Sequence, residues 1–225
     1  MSTNPRETLD RKLHQLLDDV LVLGSMVEQA LLKSVEALKR RDLVLAQNIY
    51  NADIRINTKR FEMETEVMVL IATQQPMARD LRILASTLEV VSELERIGDY
   101  AKGIANICLK MGEEPPIKPL VDIPYMAQIT TEMLHAALSA FVSGNVEIAQ
   151  EIPERDDLVD GLYNQVFREL LTYMIADPST IDRANYLLWV AHNLERAADR
   201  VTNICERTIY VVTGEMKEIN ITTDV

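Results

Sequence analysis

The chain has 225 residues, 48% of them hydrophobic, with 7 Gly and 8 Pro, which supplies a core with few chain breaks and favours long helices. A formal net charge of -12 argues against a nucleic-acid binder, since neutralising phosphates takes clustered Lys and Arg. It points instead to a cationic partner, a metal ion or a basic protein surface, or simply to a solvated acidic exterior.

Apolar residues recur at spacings of three and four through Leu9 to Leu38, Leu43 to Ile71 and Leu81 to Met111, the period of helices and not of strands. Asp42 is placed to cap the second segment, and Gln75-Pro76 separates the second from the third because Pro disfavours α geometry in the residue before it. Residues 112 to 121 open with the Pro-rich run GEEPPIKP and read as a linker. The rhythm then returns: Tyr125 to Val142, a turn at Ser143-Gly144-Asn145, Val146 to Met174, a break at Asp177-Pro178-Ser179, and Ile181 to Val212. Pro153, inside the fifth segment, either kinks that helix or opens it. The expectation is all-α: a three-helix unit over residues 1 to 111, the linker over 112 to 121, a second unit over 122 to 213, and a tail over 214 to 225. Residues 1 to 9 lack the basic and apolar regions of a signal peptide, and no run approaches about 18 consecutive apolar residues, so the cytoplasm is the expected location. Cys108 and Cys205 sit among apolar neighbours and read as reduced, buried thiols.

The two units share more than rhythm. LERIGD at 94 to 99 and LERAAD at 194 to 199 lie an offset of 100 apart, midway along the third helix of each unit, as duplication of a three-helix bundle would produce. A weaker echo pairs Asp53 and Asn57 with Asp156 and Asp160 at an offset of 103, which implies a short indel between the two anchors.

Glu95 and Asp99, and again Glu195 and Asp199, are four apart and therefore lie one turn apart on one helix face. In the third helix that face borders the apolar stripe through Leu84, Val91, Leu94, Ala101, Ile104 and Cys108, where a neighbouring helix can meet it. If the second helix of each unit is that neighbour, Asp53 and Asn57 join the first pair, and Asp156 and Asp160 the second. Two carboxylates ~5 Å apart repel by roughly 3 kcal/mol at an effective dielectric near 20, so such a cluster calls for cations or protons. A metal ion supplies the cation, and all-oxygen donors suit hard ions such as Mg, Ca, Mn or Fe. The plainer alternative is a solvated face on which Arg96 and Arg196 pair with Asp99 and Asp199. Gly98 is read as a point of close helix packing, with room for an ion as the alternative. His192 precedes Glu195 by three and is left outside the ligand set. Glu132 and His135 form a single Glu-x-x-His, too little for a ferritin-like di-iron bundle. No phosphate loop or nucleophile elbow is present, so no enzyme is expected.

PMARDLR at 76 to 82, ELERIGDYAKGIA at 93 to 105 and NLERAADRVTNICE at 193 to 206 resemble the PhoU family of phosphate-uptake regulators. The resemblance implies two three-helix bundles packed side by side, each binding a multinuclear metal cluster (Fe, Zn, Mn, Mg or Ca) through paired E/D-x-x-x-D motifs. The ligands carried over are Glu95, Asp99, Glu195, Asp199, Asp156, Asp160 and Asp53, with Asn57 standing where an acid is expected and weakening the first site. It also implies a negative regulator that contacts the phosphate-specific ABC transporter and a phosphate-sensing histidine kinase, meets the membrane only through those partners, and has room to form a homodimer. The competing functions are a metal oxidase or hydrolase and a metal-free helical adaptor. The charged start of the third helix, Arg79, Asp80 and Arg82, reads either as a docking surface or as a solvated helix end.

Overall fold

The computed structural model describes residues 5–219. Its helices are α1 (Pro5–Arg40), α2 (Leu43–Gln74), α3 (Arg79–Met111), α4 (Asp122–Ser143), α5 (Val146–Glu151), α6 (Asp156–Ala176) and α7 (Ile181–Thr213), with no strand among the described residues. None of these helices is long and apolar enough to cross a membrane.

Two three-helix bundles lie side by side. α1 and α3 of the first half pack on α4 and α7 of the second, whereas α2 lies outside against α1 and α3, and α6 outside against α4 and α7. The shared core runs through fully buried residues of the inner helices, among them Leu23, Leu94, Leu134 and Leu194. At Gly24 the inner helices come too close for a larger residue, because a Cβ there would lie 2.1 Å from Leu138 Cδ1. Gly24→Val is expected to destabilise by ~2 kcal/mol through overpacking, seen as a drop of about 4–8 °C in thermal melts.

Local structure repeats as closely as sequence. Asp42 caps α2 by accepting from the Leu45 backbone N–H at 2.8 Å, and Asn145 caps α5 by accepting from Ile148 at 3.1 Å. The residue before each cap, Arg41 (φ 57) and Gly144 (φ 68), is left-handed. These pairs keep the offset of 103, and so do the buried pairs Ala46 and Ala149, Met63 and Val166, and Val67 and Leu170. The change to an offset of 100 therefore falls around the connection between α2 and α3, which holds two further left-handed residues, Gln75 and Ala78.

Pro153 does not open α6 but interrupts the helix. It sits buried in a 3₁₀ turn, Ile152–Arg155, flanked by Ile152 (φ -59, ψ -42) and Asp156 (φ -64, ψ -42), so helical backbone continues through it. α5 and α6 are one interrupted helix. The Pro-rich connection is also pinned: Lys118 is buried, bonding Asp122 at 3.1 Å and also Glu169. Arg82 likewise has a structural task, donating from Nε to the Val211 carbonyl at 3.2 Å and so tying the start of α3 to the end of α7. Both cysteines are buried and free, and burial pushes the Cys205 thiol up to about 12.

Candidate metal centre

Each acidic set lies in the seam between an outer helix and the α3 or α7 it packs on. In the second half, Asp156 and Asp160 project from the first two turns of α6 toward Glu195 and Asp199 on α7. The four carboxylates act on one another. Burial raises the Asp156 carboxyl to about 7, with Asp160, Asp199 and Glu195 adding to the shift. Burial likewise raises Glu195 to about 7, helped by Asp199 and Asp160 and opposed by Arg196 and Arg200. Asp160 is raised by burial and then by Asp199 and Asp157. Asp156 Oδ1 and Glu195 Oε2 are buried without a hydrogen-bond partner, a costly state for a carboxylate oxygen. Arg196 donates to Asp199 Oδ2 at 2.7 Å, so the plain ion pair does form in this half.

His192 Nδ1 lies 3.4 Å from Glu195 Oε2. Its ring is flanked by Trp189, at a centroid distance of 5.8 Å, and by Tyr163, at 6.1 Å.

The first half is built differently. Asp53 is buried on the inner side of α2. Lys102 Nζ on α3 donates to Asp53 Oδ2 at 2.7 Å, and Asn57 Nδ2 donates to the same oxygen at 3.1 Å. Asp53 Oδ1 has no hydrogen-bond partner. Arg60 on α2 lies 3.5 Å from Glu95 while its Nε donates to Glu64 at 2.8 Å. Burial raises Glu95 and Asp99, with Asp99 and Asp53 adding to Glu95, and Asp53 adding to Asp99. Arg60 opposes both shifts, and Lys102 also opposes that of Asp99. The Asp53 bond in turn holds the Lys102 ammonium more firmly protonated. Arg96 does not pair with Asp99 but donates to Glu93 at 2.8 Å.

Sequence reasoning thus brought together Asp53, Asn57, Glu95 and Asp99, and Asp156, Asp160, Glu195 and Asp199, and missed Lys102 and Arg60. One signal was available: Lys102 follows Asp99 by three, on the same face, where the other repeat has Thr202. Gly98 packs closely, since a Cβ there would lie 3.2 Å from Ile56 and 4.0 Å from Asp53 Oδ1. The equivalent positions of the second half hold Ala198 and Val159, the same bulk divided differently. Glu132 and His135 face different partners, Arg155 at 2.5 Å and Glu28 at 3.4 Å. Among the described residues, no three or more His, Cys, Asp and Glu side chains are gathered so that they could hold an ion as they stand.

A PhoU domain model matches residues 20–108 and again 123–208, one match per bundle. The chain belongs to the PhoU family. The PhoU homolog of Aquifex aeolicus, a phosphate-specific transport system accessory protein, is 37% identical over 208 residues, covering 92% of this chain and 94% of that one. The Caulobacter vibrioides homolog of the same description is 38% identical over 216 residues, 96% of this chain and 94% of its own. Among solved structures, PhoU from Pseudomonas aeruginosa superposes with a TM-score of 0.87 at 33% identity, covering 92% of this chain and 99% of that one. The phosphate transport system regulatory protein PhoU from Streptococcus pneumoniae gives 0.86 at 32% identity over 93% and 99%. The PhoU likeness therefore spans both bundles and the packing between them.

The donor chemistry fits a metal ion in the second half, where four carboxylates include two oxygens buried without a hydrogen-bond partner. It does not fit a bare cation in the first, where two of the protein's own cations already contact the carboxylates.

Proposed function

We propose that this protein is a cytoplasmic, metal-binding negative regulator of phosphate uptake and phosphate-starvation signalling, acting by contact with the phosphate-specific ABC transporter and its sensor histidine kinase. The observation that carries this reading is similarity over both bundles to proteins named as accessory to phosphate-specific transport. The working parts are surfaces and bound ions, and membrane contact comes through the partners.

Asp156, Asp160, Glu195 and Asp199 would hold the ion. A bound cation supplies positive charge that offsets the mutual repulsion of these carboxylates, and so fixes α6 against α7. His192 extends the same face outward toward Trp189, the only tryptophan of the chain.

Deleting the gene is expected to switch on phosphate-starvation reporters in phosphate-rich medium, with complementation restoring repression. Normal repression in the deletion strain would remove the regulatory reading. Immobilised protein is expected to retain the transporter and the kinase from detergent extracts, and recovery of neither would count against contact as the mechanism. The metal reading is checked separately: adding Mn²⁺ to the chelated protein should change Trp189 fluorescence, and Asp199→Asn should blunt the change.

A further inference from the structure

The two acidic faces are repeats in sequence but not in chemistry, and we propose that the first-half face is self-neutralised, with Lys102 and Arg60 occupying the cation positions and excluding metal, so that metal is confined to the second half. This rests on the reading that the second-half carboxylates take metal. It goes further by assigning the first-half set to internal ion pairing.

Three differences between the halves point the same way. Lys102 is bonded at 2.7 Å to Asp53, and its equivalent 100 positions on is Thr202, which is neutral and donates instead to the Asp199 backbone carbonyl at 2.8 Å. Arg60 stands 3.5 Å from Glu95, and its equivalent 103 positions on is Tyr163. Asn57 replaces Asp160 and turns its amide N–H₂ toward Asp53, presenting a donor where a metal needs a lone pair. Three carboxylates therefore face two resident cations in the first half, while in the second four face Arg196, which bonds Asp199, and Arg200, which is paired with Glu93.

A side-chain ammonium fixed to the same helix as Asp99 competes with metal as an intramolecular counter-ion for the carboxylates, at an effective concentration that free divalent ions at micromolar levels do not match. An entering ion would have to break the Lys102 bond to a buried carboxylate, and the displaced ammonium would remain beside it as a like charge. Lys102 is further held over the Tyr50 ring, 5.4 Å from its centroid.

The test is Mn²⁺ binding by equilibrium dialysis, with metal read by elemental mass spectrometry and folding checked by circular dichroism and melting temperature. Asp156→Asn/Glu195→Gln in the full chain is expected to lower bound Mn²⁺ at least tenfold. Adding Lys102→Thr and Asn57→Asp to that double variant is expected to create binding in the first half, removed again by Asp53→Asn. Mn²⁺ retained by Asp156→Asn/Glu195→Gln with Lys102 intact, and lost on Asp53→Asn, would overturn the proposal, as would failure of Lys102→Thr/Asn57→Asp to gain any metal. Wild type that binds no Mn²⁺ would defeat the second-half reading alone, leaving gain or no gain in the Lys102→Thr/Asn57→Asp protein to decide this one. A readout independent of variants is acetylation of Lys102 in wild type: saturating Mn²⁺ should leave its labelling unchanged, and a rise of twofold or more would show that metal ejects it.

Discussion

Asp156→Asn is expected to raise the melting temperature of chelated protein by about 4–8 °C above pH 7, although it removes a candidate ligand. The Asp156 carboxyl sits at about 7 in the folded chain because burial and its acidic neighbours disfavour the charged form, against ~3.9 when unfolded. Between those values the folded state holds a proton that the unfolded state has lost, so stability falls as pH rises through the window and levels off above it. Discounted for the solvent screening of a partly exposed group, the loss is on the order of 2 kcal/mol, or the stated shift in melting temperature for a chain of this size. A neutral amide does not suffer it, and the gap between variant and wild type should close toward pH 4. Bound metal should reverse the order, because wild type gains binding energy that the variant has largely given up. Melts at pH 4, 6 and 8, each with chelator and with Mn²⁺, check both signs; a variant less stable than wild type at pH 8 in chelator would mean that the carboxylates do not strain the fold.

The helices were legible in sequence because their determinants are local. The three-and-four spacing of apolar residues, the caps at Asp42 and Asn145 and the sparse Gly and Pro act within a few turns. The convergence of Asp156 and Asp160 on Glu195 and Asp199 was legible too, since i, i+4 spacing fixes the face and the duplicated frame names the neighbour. What sequence hid was the reach of long side chains across helices. Lys102, Arg60 and Arg82 look like ordinary solvated charges on a helical wheel, and only tertiary packing decides that they end on Asp53, Glu95 and the Val211 carbonyl. Lys118 was hidden for the same reason, because a Pro-rich stretch reads as a tether until its one lysine is seen buried between α4 and α6.

The same cross-helix reach makes Arg200→Ala the substitution expected to loosen the two bundles most. Arg200 on α7 lies 3.6 Å from Glu93 Oε2 on α3, and the pair is largely buried, at 19% and 12% exposure. That oxygen has no hydrogen-bond partner, while Oε1 is served by the exposed Arg96. Removing Arg200 strands a mostly buried carboxylate oxygen at the seam between the halves, a change that costs ~2–3 kcal/mol and about 4–12 °C in melting temperature. The Glu93–Arg200 pair is not duplicated by the repeat, because the equivalents of Glu93 and Arg200 are Asn193 and Tyr100, and the other ion pair between α3 and α7, Arg207 with Glu89 at 2.9 Å, is weaker because Glu89 is exposed. Arg200 also steadies the charged form of Glu195, and its removal should weaken metal loading of the second half as well as stability. Glu93→Gln in the Arg200→Ala background removes the stranded charge and should recover at least half of the lost stability without restoring metal affinity. Double-mutant cycles on thermal melts measure the coupling directly, and a value near zero between the two residues would show that this pair does not brace α3 against α7.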